Sequence, residues 1–70
     1  MASVVTSTLV ASVAAGSNKH NRYRYLLDNG TTHDRIGWIP GTTADADDMA
    51  MRATLLLDEL VQAEMNEVLP

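Results

Sequence analysis

The stretch RYRYLLDNGTTHDRIGWIP, residues 22–40, constrains the fold more than any other part of the chain. Asn29-Gly30 sits between two runs of alternating polar and apolar residues, the strongest short-range signal for a β-hairpin. Two registers compete. A two-residue loop at Asn29-Gly30 would set Arg24 opposite Arg35, where like charges repel. A three-residue loop, with Asp28 and Asn29 in a type I turn and Gly30 in the left-handed bulge position, shifts the pairing by one. Arg24 then faces Asp34, Tyr25 faces His33 and Tyr23 faces Arg35. Cross-strand pairs each contribute roughly 0.2–1 kcal/mol, so the bulged register is predicted.

Successive side chains of a strand point to opposite faces. Arg22, Arg24 and Leu26 therefore share one face, and Tyr23, Tyr25 and Leu27 the other. The tyrosine face is the expected core wall, with the hydroxyls reaching its rim. On the second strand Ile36 and Trp38 share a face, opposite Gly37 and Ile39. Pro40 cannot donate to a ladder and ends the strand.

A hairpin alone is at best marginally stable in water, so the flanking segments must complete the fold. Residues 4–14, VVTSTLVASVA, are rich in β-branched Val and Thr and read as a strand. Strict alternation puts Val5, Leu9 and Val13 on one face with Ser7 and Ala11, and Val4, Thr6, Thr8 and Val10 on the other. The rival reading is a helix, since Val5, Leu9 and Val13 also recur every four residues. Residues 14–21, AAGSNKHN, read as a polar turn. The chain thus divides into an N-terminal strand and turn over 1–21, a hairpin over 22–40 and a helical segment over 44–69, all in one small domain.

Residues 45–68 contain neither Gly nor Pro and are rich in Ala, Leu, Met and Glu. Thr42 or Thr43 is the expected cap, and Asp45, Asp47 and Asp48 lie against the positive end of the helix dipole. At 100° per residue, Met49, Ala53, Leu56, Leu57, Leu60 and Ala63 form one arc, widened by Ala50 and Val61. The predicted fold is α+β, an antiparallel three-stranded meander with one long C-terminal helix packed on one face.

Seventy residues bury only about 60% of the surface an unfolded chain exposes, so small domains recruit a disulfide, a metal or another subunit. The chain has no cysteine, which excludes disulfides and thiolate zinc sites. His20 and His33 are thirteen positions apart, and neither stands at a ligand spacing from a second donor cluster. Oligomerisation or docking onto a larger body is the expected supplement. The front of the chain, MASVVTSTLVASVAAG, has no basic leader, and Thr and Ser interrupt its apolar residues, so a targeting role is not expected. No apolar run approaches the ~18 residues of a membrane span. Residues 1–40 carry four basic residues against Asp28 and Asp34, a net of +2, whereas residues 41–70 carry Arg52 against seven acidic residues, a net of −6. Opposite halves of this kind can pair within a chain or between neighbours.

Chemistry finds little purchase. Lys19, Arg22, Arg24 and Arg35 around Tyr23 and Tyr25 supply the ingredients of a single-strand nucleic-acid platform, but alternation sends cations and aromatics to opposite faces and the chain is acidic overall. The DADD run at residues 45–48 resembles the opening of a calcium loop. Counting from Asp45, however, the sixth and twelfth positions are Ala50 and Leu56, where that loop needs Gly and Glu. There is no cysteine nucleophile, no G-x-S-x-G elbow and no phosphate-binding glycine loop. Neither an enzyme nor a cofactor or metal site is expected.

Two features of the helix point outward instead. Met51 and Leu55 form an apolar pair away from the main arc. Twenty-four residues at about 1.5 Å each also give roughly 36 Å, against roughly 20–27 Å for strands of six to eight residues. The helix end, with Met65, Val68 and Leu69, should overhang its sheet. The N-terminal strand is expected to extend a sheet shared with a neighbour. Arg22, Arg24 and Arg35 are expected to meet acidic residues of an adjacent helix, and these eight residues make the predicted partner-binding set.

The hairpin YRYLLDNGT, the Pro-bounded strand RIGWIP and the Asp-Ala-rich entry TADADDMA to a single helix together resemble small structural proteins of tailed bacteriophages. The resemblance covers residues 22 to about 62 and leaves the N-terminal strand outside it. It implies a virion or virion-assembly component, such as a decoration, head–tail joining, tail or baseplate element, present in many copies and acting by binding copies of itself or larger proteins of the particle. The alternative expectation is a small regulatory protein-binding module of the cytoplasm, antitoxin-like or inhibitor-like. A single-stranded nucleic-acid binder ranks third.

Overall fold

The computed structural model describes residues 2–68, with the side chain of Val68 left aside. Three strands, β1 (Val4–Ala15), β2 (Asn18–Leu27) and β3 (Thr32–Pro40), form one antiparallel sheet in the order β1-β2-β3, followed by helix α1 (Asp45–Val68). This is the α+β meander read from the sequence.

The β2–β3 hairpin adopts the three-residue loop. Arg24 pairs with Asp34, Tyr25 with His33 and Tyr23 with Arg35. Gly30 takes φ +83° and donates its N–H to the Leu27 carbonyl at 3.0 Å, while the Leu27 N–H reaches the Thr31 carbonyl at 2.9 Å. Asn29 Oδ1 accepts from the Thr31 N–H and hydroxyl, which fixes the loop from within.

The first hairpin corrects the expected layout. Its turn is only Gly16-Ser17, with Gly16 at φ +63°, the position where a two-residue hairpin loop favours glycine. Asn18 to Asn21, expected in a turn, instead lengthen β2. Polar residues there are compatible with a strand because Lys19 and Asn21 find partners on the helix, described below. Strict alternation also fails along β1. The register shifts between Val4 and Thr6 and again between Leu9 and Ala11, leaving Val5 and Val10 without partners on β2. Each bulge inserts one residue and flips the faces that follow. Leu9, opposite Tyr23, therefore lies on the helix side, and Val13, opposite His20, on the other.

The core lies between β2 and α1. Tyr23, Tyr25, Leu27 and Leu56 are buried, with Ala2, Val4, Met49, Ala53, Leu57 and Leu60 packed around them. Most of the expected helical arc faces the sheet, but Ala50 and Ala63 are exposed. The tyrosine hydroxyls do not sit at a rim. Tyr23 is fully buried and donates to Asp48 Oδ2 at 2.5 Å, while Tyr25 donates to the Met49 carbonyl at 2.7 Å. Asp48, read as a dipole-facing aspartate, is itself buried and also takes the Arg52 Nε–H at 3.0 Å. Asn21 bridges Tyr23 and Asp45, and Lys19 reaches both Asp45 and the Thr43 carbonyl. This network pins the start of α1 to β2. Neither Thr42 nor Thr43 caps the helix; the first-turn bonds run from the Asp47 and Asp48 N–H groups to the Ala44 carbonyl.

Gly37 allows the close approach. A Cβ there would lie 2.6 Å from Asp48 Oδ2 and 2.8 Å from Arg52 Cζ, so any side chain would displace the Asp48–Arg52 pair. Beyond Leu60 the helix outruns its sheet. Residues 62–67 are all exposed, as the length argument anticipates.

Candidate interaction surface

Opposed residues of an antiparallel ladder share a face, so the two registers define the side of the sheet away from α1. Across β1, β2 and β3 its rows are Val13–His20–Trp38, Ala11–Arg22–Ile36, Thr8–Arg24–Asp34 and Thr6–Leu26–Thr32. Among the described residues no element covers this face. Trp38 is 67% exposed, Ile36 66% and Val13 63%. Large apolar side chains left this open in a contiguous group mark interaction surfaces, whereas scattered ones do not.

The face has an apolar end and a charged middle. His20 and Trp38 meet edge to face with ring centroids 5.1 Å apart, which orients the indole without covering it. Next to them stand Val13, Ala11 and Ile36. Arg24 then clamps Asp34 with two bonds, Nε to Oδ1 at 2.9 Å and a second from its other guanidinium nitrogen to Oδ2 at 3.0 Å, and Arg22 approaches Asp34 at 3.6 Å. The bonds from Arg24, with the charge of Arg24 and Arg22, hold the Asp34 carboxyl below the usual carboxylate range, and the same bonds with the charge of Asp34 raise the Arg24 guanidinium above its own. Leu26 beyond them is half-exposed in a depression lined by Thr6, Thr8, Arg24 and Thr32.

The chain matches no protein-family model, no curated protein and no solved structure.

The arginines expected to reach a neighbour's helix are engaged within the chain: Arg22 and Arg24 with Asp34, and Arg35 with Glu59 of α1 at 2.7 Å. Arg22 and Arg24 nevertheless keep half of their side-chain surface in water. Met51, Leu55 and Met65 are exposed, as the helical pattern predicts. Leu55 and Ile36 line one depression together with Arg35, Arg52 and Glu59, so the helix patch joins the open face around the β3 edge. Val68 and Leu69 lie outside the described side chains. Among the described residues no group of three or more His, Cys, Asp and Glu stands close enough to hold a metal ion, and no helix is long and apolar enough to cross a membrane.

Trp38, Ile36 and Val13 were not in the predicted partner set. For the first two the signal was present. Once Arg24 is placed opposite Asp34, period-2 alternation puts Ile36 and Trp38 with the arginines, on the side away from the tyrosines. For Val13 it was not, since a bulge at Val10 decides its side.

Proposed function

We propose that this protein is a non-enzymatic interaction subunit that works as one of many copies in a larger assembly, the role implied by its resemblance to phage structural proteins. The observation that carries the reading is the uncovered sheet face holding Trp38, Ile36 and Val13. Exposed apolar surface costs roughly 25 cal/mol per Å² relative to burial, and tryptophan is among the residues that most often anchor an interface. A neighbouring subunit that covers this face gains that area. The Arg24–Asp34 clamp beside it supplies a polar register mark that a mispacked neighbour would leave buried and poorly solvated. The Met51/Leu55 patch extends the contact around the β3 edge.

The test is the absolute mass of the purified chain by light scattering over a hundredfold range of concentration, for the unaltered protein and for Trp38→Ser. Assemblies larger than a dimer that shrink at least tenfold in population with Trp38→Ser, at unchanged helical content, are expected. If the unaltered chain keeps one small, concentration-independent mass, the assembly reading falls and the small regulatory binder replaces it.

A further inference from the structure

We infer that β1 is the site at which a second copy of this chain docks, strand against strand about a two-fold axis, to give one continuous six-stranded sheet. The two edges of the sheet differ in a way that selects β1. β3 carries His33, Asp34, Arg35 and the terminal Pro40, the charges and proline with which proteins guard an edge against pairing. Arg35 is also held by Glu59 of α1 at 2.7 Å. β1 runs twelve residues, VVTSTLVASVAA, with no charge and no proline. All but Val4 are exposed along it. Among the described residues its outward N–H and C=O groups have no partner strand, and its side chains include the Val and Thr that favour a ladder.

The occupant is a second copy because an uncharged edge fits itself without repulsion, and because area requires it. Three strands of about ten residues make an open face of roughly 500 Å², below the roughly 800 Å² per partner of a stable interface. Two copies paired antiparallel about an axis normal to the sheet double that face. The same operation sends both helices to the opposite side, so the two Trp38 faces merge without interruption. The bulges at Val5 and Val10 add twist to the strand, and regular runs remain at Thr6–Leu9 and Ala11–Ala15 to carry the pairing. This inference builds on the open face as the working surface and specifies how that surface reaches partner size.

The absence of cysteine makes a direct test simple. Single substitutions Thr6→Cys, Ser7→Cys, Thr8→Cys, Ala11→Cys, Ser12→Cys and Val13→Cys sample both faces of β1, since the axis residue can lie on either, and Thr32→Cys and Ile36→Cys serve as controls on β3. Each variant is incubated with oxidised glutathione, and the covalent dimer is measured on a denaturing gel. Disulfides need Cα atoms about 4.4–6.8 Å apart, so only the position nearest the two-fold axis should link efficiently. One β1 position is expected to link at least tenfold more than its neighbours two or more residues away, with β3 positions at background. Uniformly low linking along β1, or linking concentrated on β3, overturns the proposal. Val10→Lys, tested by mass in dilute solution, should convert dimer to monomer with circular dichroism unchanged, and Val10→Thr should not; a Val10→Lys dimer counts against the proposal. β1 linking without any Trp38-dependent larger assembly would uphold the strand pairing while defeating the proposed function, and Trp38-dependent assembly without β1 linking would do the reverse.

Discussion

The two faces of the sheet are built from alternate residues of the same strands and reach opposite outcomes. On the helix side, Tyr23, Tyr25 and Leu27 disappear beneath α1, and the polar atoms around them are mutually bonded, with no buried side-chain nitrogen or oxygen left without a partner among the described residues. On the other side, Trp38 and Ile36 stand in solvent beside a clamped arginine. The covered face spends its side chains on holding one helix in one place. The open face contributes little to that task, which leaves its composition free to serve a partner.

The comparison breaks most visibly at Leu56. Leu56→Ala should cost about 2–5 kcal/mol, as buried leucine truncations do. In a domain of this size that is a large share of the total stability, and cooperative thermal unfolding followed by circular dichroism should shift down strongly or vanish. A variant that melts like the parent would move the core away from the β2–α1 contact.

Tyr23 offers a smaller and more specific test. Burial, then the hydrogen bond to Asp48, pushes its phenol from an ordinary 10.0 up to about 12. The folded state thus holds the proton more tightly than the unfolded state. The contribution is fully present below pH 10 and is lost as pH rises towards 12. Alkaline denaturation should therefore set in over that window, and Tyr23→Phe should flatten it. The same variant strips Asp48 of a donor and should destabilise the domain by about 1–3 kcal/mol at neutral pH. A denaturant titration at pH 7 and at pH 11 separates the two effects.

On the acid side the signs reverse. Bonds from Arg24 hold the Asp34 carboxyl low, bonds from Lys19 and Asn21 do so for Asp45, and the Ser3 N–H and hydroxyl do so for Asp28. Their stabilisation is present above the ordinary carboxylate range and fades as pH falls through their lowered values. All three groups are solvent-facing, so the loss should be gradual; Asp45→Asn, Asp34→Asn and Asp28→Asn should each make the thermal midpoint less sensitive to pH between 5 and 2. The smallest effect belongs to the open face. Ile36→Ser should change the stability of the isolated subunit by within about 0.5 kcal/mol, and a larger loss would mean that this face is covered within the chain after all.

Much of this was legible in the sequence, for reasons that can be named. Asn29-Gly30 and the need to separate Arg24 from Arg35 determine one hairpin register, and the uninterrupted Ala/Leu/Met/Glu run determines α1. Both signals are local. The first hairpin was not legible at the same level, because Asn18–Asn21 become strand only through Lys19 and Asn21 bonding to Asp45 and Thr43, more than twenty residues away. The bulges of β1 leave no mark in a run of Val, Thr, Ser and Ala. Asp48 looked like a helix-start residue and proved to be the buried acceptor of Tyr23 and Arg52, since its partners come from other turns and strands. The open face was half legible: its β3 side follows from alternation, and its β1 side does not.

Gly37 has a consequence beyond the clash it avoids. By letting α1 settle directly on the sheet it keeps the molecule thin, 15 Å along its shortest axis against 46 Å along its longest. A slab of that thickness holds a single layer of interior side chains, so water lies one residue away from almost every core atom. The apolar area newly hydrated on unfolding is correspondingly modest, and the heat-capacity increment should fall at or below the usual 12–15 cal/mol/K per residue. The domain would then have a shallow stability curve, changing little between a cold and a warm environment and melting over a broad span.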